Sequence, residues 1–129
     1  MGLIVLILNL VWELMHYRLY IDLTGIPPTI HLMLASFMDL LLVSLIFLAY
    51  SAVKHSTAWI ENPRPSDFLV IVILAAAVAA GIEVYSLSQG RWIYEETMPT
   101  ILGIGLSPLI QLFTTFIISL WLFKITKIV

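Results

Sequence analysis

The sequence predicts an all-α fold, an integral membrane bundle of four transmembrane helices. Three observations carry this. Of 129 residues, 61% are hydrophobic and 11% charged, against roughly 45–50% and about 25% in soluble domains. Four segments hold the ~20 apolar residues that a helix needs to cross a bilayer core. Each of them is bounded by residues that stop or start helices. A chain of this length is too short to bury so much apolar surface in a water-facing fold, so lipid must cover it.

The first helix is predicted over residues 2–23, stopped by Gly25 and the Pro27-Pro28 pair. The second covers residues 29–53. The third covers residues 67–89, with Ser66 as N-cap after Pro63-Arg64-Pro65 and Gly90 as the residue that ends it. The fourth covers residues 108–127, with Ser107 as N-cap and Pro108 in the first turn. Residues 89–106 remain as a long connection, of a length that is often functional. No internal repeat or second domain is visible, so residues 1–129 read as one transmembrane domain. The N-terminus lacks a basic region and a small-residue cleavage site, and reads as an uncleaved first span.

Basic residues set the expected orientation. Lys54, Arg64, Lys124 and Lys127 fall at one end of the bundle, and Arg18 and Arg91 at the other. The positive-inside rule then places both termini in the cytoplasm and residues 89–106 outside. Trp59 and Trp121 would anchor the inner interface, and Tyr20, Trp92 and Tyr94 the outer one. A net charge of −2 excludes a nucleic-acid partner, which calls for a basic stripe. With no cysteine there is neither disulfide nor thiolate chemistry.

Polar residues within the spans point to a site, because each is costly in lipid. Asn9, Glu13, His16, Tyr17 and Tyr20 recur at helical spacing and share one face of the first helix. Asp39, Glu83 and Gln111 supply one polar group from each remaining helix. At 1.5 Å per residue, Glu13 lies roughly 13 Å, Asp39 about 15 Å and Glu83 about 10 Å from the outer ends of their helices, with Gln111 about one turn into its own. Alternating helix directions bring all four into the outer half. Ala76, Ala79, Ala80 and Gly81 beside Glu83 would allow close helix approach. The connection 89–106, with Arg18 and Asp22, would roof the cluster, and Arg91 is the natural ion-pair partner of Glu83.

Glu13, Asp39 and Glu83 are therefore the candidate acids or bases. Asn9, His16, Tyr17, Arg18, Arg91, Trp92, Tyr94 and Gln111 are the candidate binding residues. The same carboxylates could instead form a structural network with His16, Arg18 and Arg91. Glu13-Leu14-Met15-His16 has the Glu-x-x-His spacing of di-iron bundles, but those need two such motifs. A single ion on Glu13, His16 and a further carboxylate is a lesser reading, and no metal site is assigned. His31 and His55 fall at the ends of the second helix, where solvated or interfacial histidines are usual. Gly103 and Gly105 lack the lysine and the preceding strand of a phosphate loop. No motif identifies a cofactor.

Asn9-Leu10-Val11-Trp12-Glu13 with His16 and Tyr20, then Glu83, Gly90-Arg91-Trp92-Ile93-Tyr94, Met98-Pro99 and Gly105-Leu106-Ser107-Pro108 with Gln111, resemble a group of small prokaryotic four-helix membrane proteins. The resemblance spans most of the chain. It implies the fold, and a prokaryotic cytoplasmic membrane, more than an activity. A more distant similarity reaches the membrane carotenoid cyclases and hydratases, through Glu83, Gly90, Trp92 and Pro108. Those carry a glutamate pair after the proline, where this chain has Leu109-Ile110-Gln111, and an amide cannot protonate an alkene.

Three functions follow as expectations. The first is a site for membrane lipid, an isoprenoid or another apolar small molecule, open to the outer leaflet, with a groove lined by Tyr17, Trp92 and Tyr94 and a lid formed by residues 89–106. The second is a small proton-coupled transporter. Small multidrug exporters also have four helices and an acidic residue in the first. The third is a non-catalytic membrane subunit or assembly factor, and the oligomeric state is open.

Overall fold

The structure, a computed structural model, describes residues 1–128. The chain is an integral membrane protein of four spans: Gly2–Leu19, Pro28–Val53, Pro65–Ser88 and Leu106–Lys127 are long and apolar enough to cross a membrane. The corresponding helices are α1 (Gly2–His16), α2 (Pro28–Val53), α3 (Pro65–Ser88) and α4 (Leu106–Ile128). Two two-stranded ladders accompany them: β1 (Tyr20–Asp22) with β2 (Trp92–Tyr94), and β3 (Thr100–Ile101) with β4 (Ile104–Gly105).

The first helix is shorter than its sequence pattern predicts. After His16 the chain tightens into a 3-10 turn, Tyr17–Leu19, and then extends into β1. Fifteen α-helical residues rise about 22 Å and the tighter turn adds about 6 Å, enough to match a ~30 Å core. Pairing with β2 overrides the helical period. Tyr20 faces Tyr94 and Asp22 faces Trp92, while Ile21 and Ile93 point outward between them. The connection 89–106 is thus not a free loop. Ladder pairing ties it down, and β3–β4 turn tightly through Leu102 and Gly103, both at positive φ.

Helix ends obey local chemistry, at positions that partly differ from expectation. Gly90 is the C′ residue of α3 at φ 66°, with its N–H on the Leu87 carbonyl and the Arg91 N–H on the Ser86 carbonyl, the paired bonds that close a helix. His55 performs the same turn after α2 at φ 51°. At the start of α3, Asp67 caps the helix, not Ser66. Its carboxylate accepts the Arg64 backbone N–H at 2.6 Å, and Pro65 fills the first helical position. Ser107 does not cap α4, which begins at Leu106; its hydroxyl is used elsewhere, as described below.

Packing runs α2–α1–α4–α3, with α1 against both α2 and α4, and α3 against α4. The open flank lies between α2 and α3, which are tied mainly near their connected ends. There Asp67 accepts hydrogen bonds from Tyr50 Oη at 2.6 Å and Lys54 Nζ at 2.9 Å. The bond to Asp67 raises the Lys54 pKa above its ordinary value. Val5, Val43, Ile46, Tyr50, Ile71, Ala75, Phe116 and Leu120 fill the core of this half. Trp59 joins that core, donating to Ser51 Oγ at 2.9 Å, instead of anchoring an interface; Trp121 is exposed.

Candidate functional site

The half of the bundle away from the termini holds Glu13, Asp39, Glu83 and Gln111. Asn9 and Glu13 lie one turn apart on α1 and meet Asp39 of α2 at a single group, the Gln111 amide of α4. Gln111 Nε2 lies 3.2 Å from Asn9 Oδ1, 2.9 Å from Glu13 Oε1 and 2.7 Å from Asp39 Oδ2. Thr115, one turn along α4, also reaches Asn9 Oδ1 at 3.2 Å. A row of bonds continues from Glu13. His16 Nε2 lies 3.2 Å from Glu13 Oε2, His16 Nδ1 lies 2.7 Å from Ser107 Oγ, and Trp12 Nε1 donates to that hydroxyl at 3.2 Å. With the imidazole hydrogen on Nε2, the whole row is satisfied: Nε2–H donates to Glu13 and Nδ1 accepts from Ser107. Trp12, Ser107 and Thr115 were missed by sequence reasoning. Their signals were weak, since a serine before a proline reads as a cap and a threonine mid-helix as bonding its own backbone.

Glu83 sits apart from that cluster. Its Oε2 accepts from Tyr94 Oη at 2.6 Å and from Trp92 Nε1 at 3.3 Å. The expected Arg91–Glu83 ion pair is absent. Arg91 instead lies over the Tyr85 ring at 5.7 Å, because strand alternation turns Trp92 and Tyr94 inward. Arg18 is exposed, and neither arginine pairs with a carboxylate among the described residues, so of the partners expected for a structural network only His16 engages a carboxylate, Glu13. Tyr20 stands between the two carboxylate groups, edge-on to His16 at 5.2 Å and to Tyr94 at 5.5 Å. Burial, with the charge of Glu83 beside it, pushes the Tyr20 phenol far above its ordinary range, and burial with the Glu83 hydrogen bond does the same to Tyr94. Both phenols therefore remain hydrogen-bond donors. Gly105 makes the position of Tyr94 possible, since a Cβ there would lie 3.1 Å from the Tyr94 ring.

A third group closes the hairpin end. Asp22 accepts from Tyr17 Oη at 2.8 Å and from the Thr24 backbone N–H and hydroxyl at 2.9 and 2.6 Å, and it pairs with His31 Nδ1. His31 is thus a latch between β1 and α2, not a solvated interfacial histidine. Burial alone would raise the Asp22 carboxyl; the bonds from Thr24, His31 and Tyr17 outweigh it and hold the carboxyl well below its ordinary value. A depressed carboxyl adds stability that is complete above its unfolded-state value of about 4 and lost as pH falls through the folded value. Asp22→Asn is expected to cost about 1.5–3 kcal/mol at pH 7, the gap to the parent narrowing below about pH 4. Denaturation in detergent across that range checks it; a gap independent of pH would refute the assignment to the ionised carboxylate.

These groups border one cavity of about 890 Å³, within the ~300–1,000 Å³ range of small-molecule sites. Glu13, His16, Asp39, Glu83 and Gln111 form its polar side. Leu34, Met38 and Leu42 of α2 and Ala77, Gly81 and Ile82 of α3 form apolar walls along the open flank. Of the small residues of α3, Ala79 is buried in the core where α3 packs closely on α4, while Ala77 and Gly81 border the cavity. Tyr17, Arg91 and Trp92 line it, whereas Tyr94 stands behind Glu83. No lining residue of α2 lies beyond Leu42, and none of α3 precedes Ala77, so the cavity stops above the packed core.

No known protein family, curated protein or solved structure matches this chain. Function must therefore be read from the site. Among the described residues no three His, Cys, Asp or Glu side chains are grouped to hold a metal ion. The two ring nitrogens of His16 face Glu13 and Ser107. What the site does offer is a pair of carboxylates sharing one amide, beside an apolar chamber that is open along the flank.

Proposed function

We propose that this protein binds a lipid, isoprenoid or similar amphiphile through the α2–α3 flank and transforms it by acid–base chemistry at Glu13 and Asp39. The observation that carries this reading is the cavity itself, with carboxylates on one side and Leu34, Met38, Leu42, Ala77 and Ile82 on the other. A water-soluble substrate has no use for such walls. Two carboxylates bonded to one Gln111 nitrogen can divide acid and base roles, because like charges so close resist ionising together. The blind end of the cavity favours this over the proton-coupled transporter, which needs a path between both faces. The arrangement suits a pocket in the outer leaflet, with both termini cytoplasmic, as the lysine and arginine asymmetry suggests.

The test is conversion. The full chain, reconstituted in vesicles containing membrane isoprenoids and lipids, is expected to change the mass or retention of one component. Glu13→Gln and Asp39→Asn should each lower that conversion at least 100-fold, in keeping with general acid–base catalysis, while the helical spectrum is kept. Conversion that survives both substitutions would overturn the acid–base assignment. If no component changes, the catalytic half of the reading falls and the non-catalytic subunit takes its place.

A further inference from the structure

Hydrogen-bond supply and demand at the cavity wall specify the head group it takes. Resting on the pocket reading above, we infer that the occupant carries a head that donates hydrogen bonds and bears no negative charge, a hydroxyl or an ammonium and not a phosphate.

The Gln111 amide has two hydrogens and faces three acceptors, on Asn9, Glu13 and Asp39. Thr115 has one hydroxyl hydrogen, within reach of Asn9 Oδ1 and the Gln111 and Leu112 carbonyls. Even with one proton shared between Glu13 and Asp39, the cluster has fewer hydrogens than the acceptors they face. Asp39 binds Gln111 through Oδ2 alone, and Glu83 receives both Trp92 and Tyr94 on Oε2. Their other oxygens, Asp39 Oδ1 and Glu83 Oε1, accept from no amide, indole or hydroxyl among the described residues, yet among those residues no buried side-chain atom lacks a partner. Both oxygens are therefore accessible, on residues that line the cavity.

Charge agrees with this count. Glu13, Asp39, Glu83 and Asp22 all line the cavity, and His16 and His31 are each engaged with one of them. Arg91 is the one lysine or arginine among the lining residues, and it rests over Tyr85 at the rim. An anionic head would meet carboxylates at close range with little to offset them, whereas a hydroxyl or ammonium would find two open acceptors.

The test uses three probes that share one C20 tail and differ only in the head: geranylgeraniol, geranylgeranylamine and geranylgeranyl diphosphate. Each is titrated onto the full chain in mild detergent and read by native mass spectrometry. The alcohol and the amine are expected to bind at least ten times more tightly than the diphosphate, with Asp39→Asn weakening the amine most. Gly81→Trp is designed to obstruct the chamber, since Gly81 lines it and a side chain added there meets no atom within 4 Å. Binding of every probe should be lost in that variant. If the diphosphate binds as well as the alcohol, and Gly81→Trp still abolishes both, the pocket stands and the head-group assignment is overturned. If no probe binds, or binding ignores Gly81→Trp, the pocket reading fails and takes this inference with it.

Discussion

Gln111→Leu is expected to lower stability by about 3–5 kcal/mol, the range for removing one partner of a buried charged group. Leucine keeps most of the volume but removes the amide on which Asn9, Glu13 and Asp39 converge. Asn9 Oδ1 keeps Thr115 and Glu13 keeps His16, but Asp39 loses its one amide donor, and lipid offers no replacement. Unfolding in mixed detergent micelles measures the loss. The double variant Gln111→Leu with Asp39→Leu separates this cause from poor packing. Deleting an acceptor along with its donor should restore part of the stability, the non-additive signature of a direct interaction. A single variant within about 0.5 kcal/mol of the parent, the usual scatter of uninvolved positions, would mean that the three bonds are not made.

The second large effect lies at the opposite end of the bundle. Asp67→Ala removes a helix cap, the partner of the buried Tyr50 hydroxyl and the partner of Lys54. Loss of the cap and an orphaned hydroxyl should together cost about 2–4 kcal/mol. Tyr50→Phe, which removes only the hydroxyl, should cost about 1 kcal/mol. Equal effects from the two would show that the cap contributes nothing. Lys54 can return to solvent when Asp67 is lost, so its share is small.

The difference between these two sites explains what the sequence made legible. Glu13, Asp39 and Gln111 were expected to meet because polar groups in apolar spans have few tolerable positions, and counting residues from helix ends gives their depth. The spans themselves followed from composition and from Gly90, Pro28 and Pro65. Asp67 was overlooked because an aspartate two residues after a proline at a span end reads as a solvated charge, with Ser66 an equally plausible cap. The β1–β2 ladder was not legible. Its strands are three residues each, far apart in the chain, and Tyr20 continues the helical period of α1. The misassigned Arg91 partner follows from the same omission. Without the ladder, opposite charge is the only guide; with it, alternation turns Trp92 and Tyr94 toward Glu83 and leaves Arg91 outside.

The open flank between α2 and α3 changes how affinity for the proposed amphiphile must be expressed. A molecule that enters through a gap between helices comes from the surrounding hydrocarbon, where an apolar compound is already concentrated by partitioning. Occupancy then depends on its mole fraction in the bilayer rather than its molarity in buffer. Adding vesicles at fixed total ligand dilutes it and empties the site. Two laboratories using different lipid-to-protein ratios would obtain different apparent dissociation constants from the same protein, and the values would converge only when referred to the membrane phase.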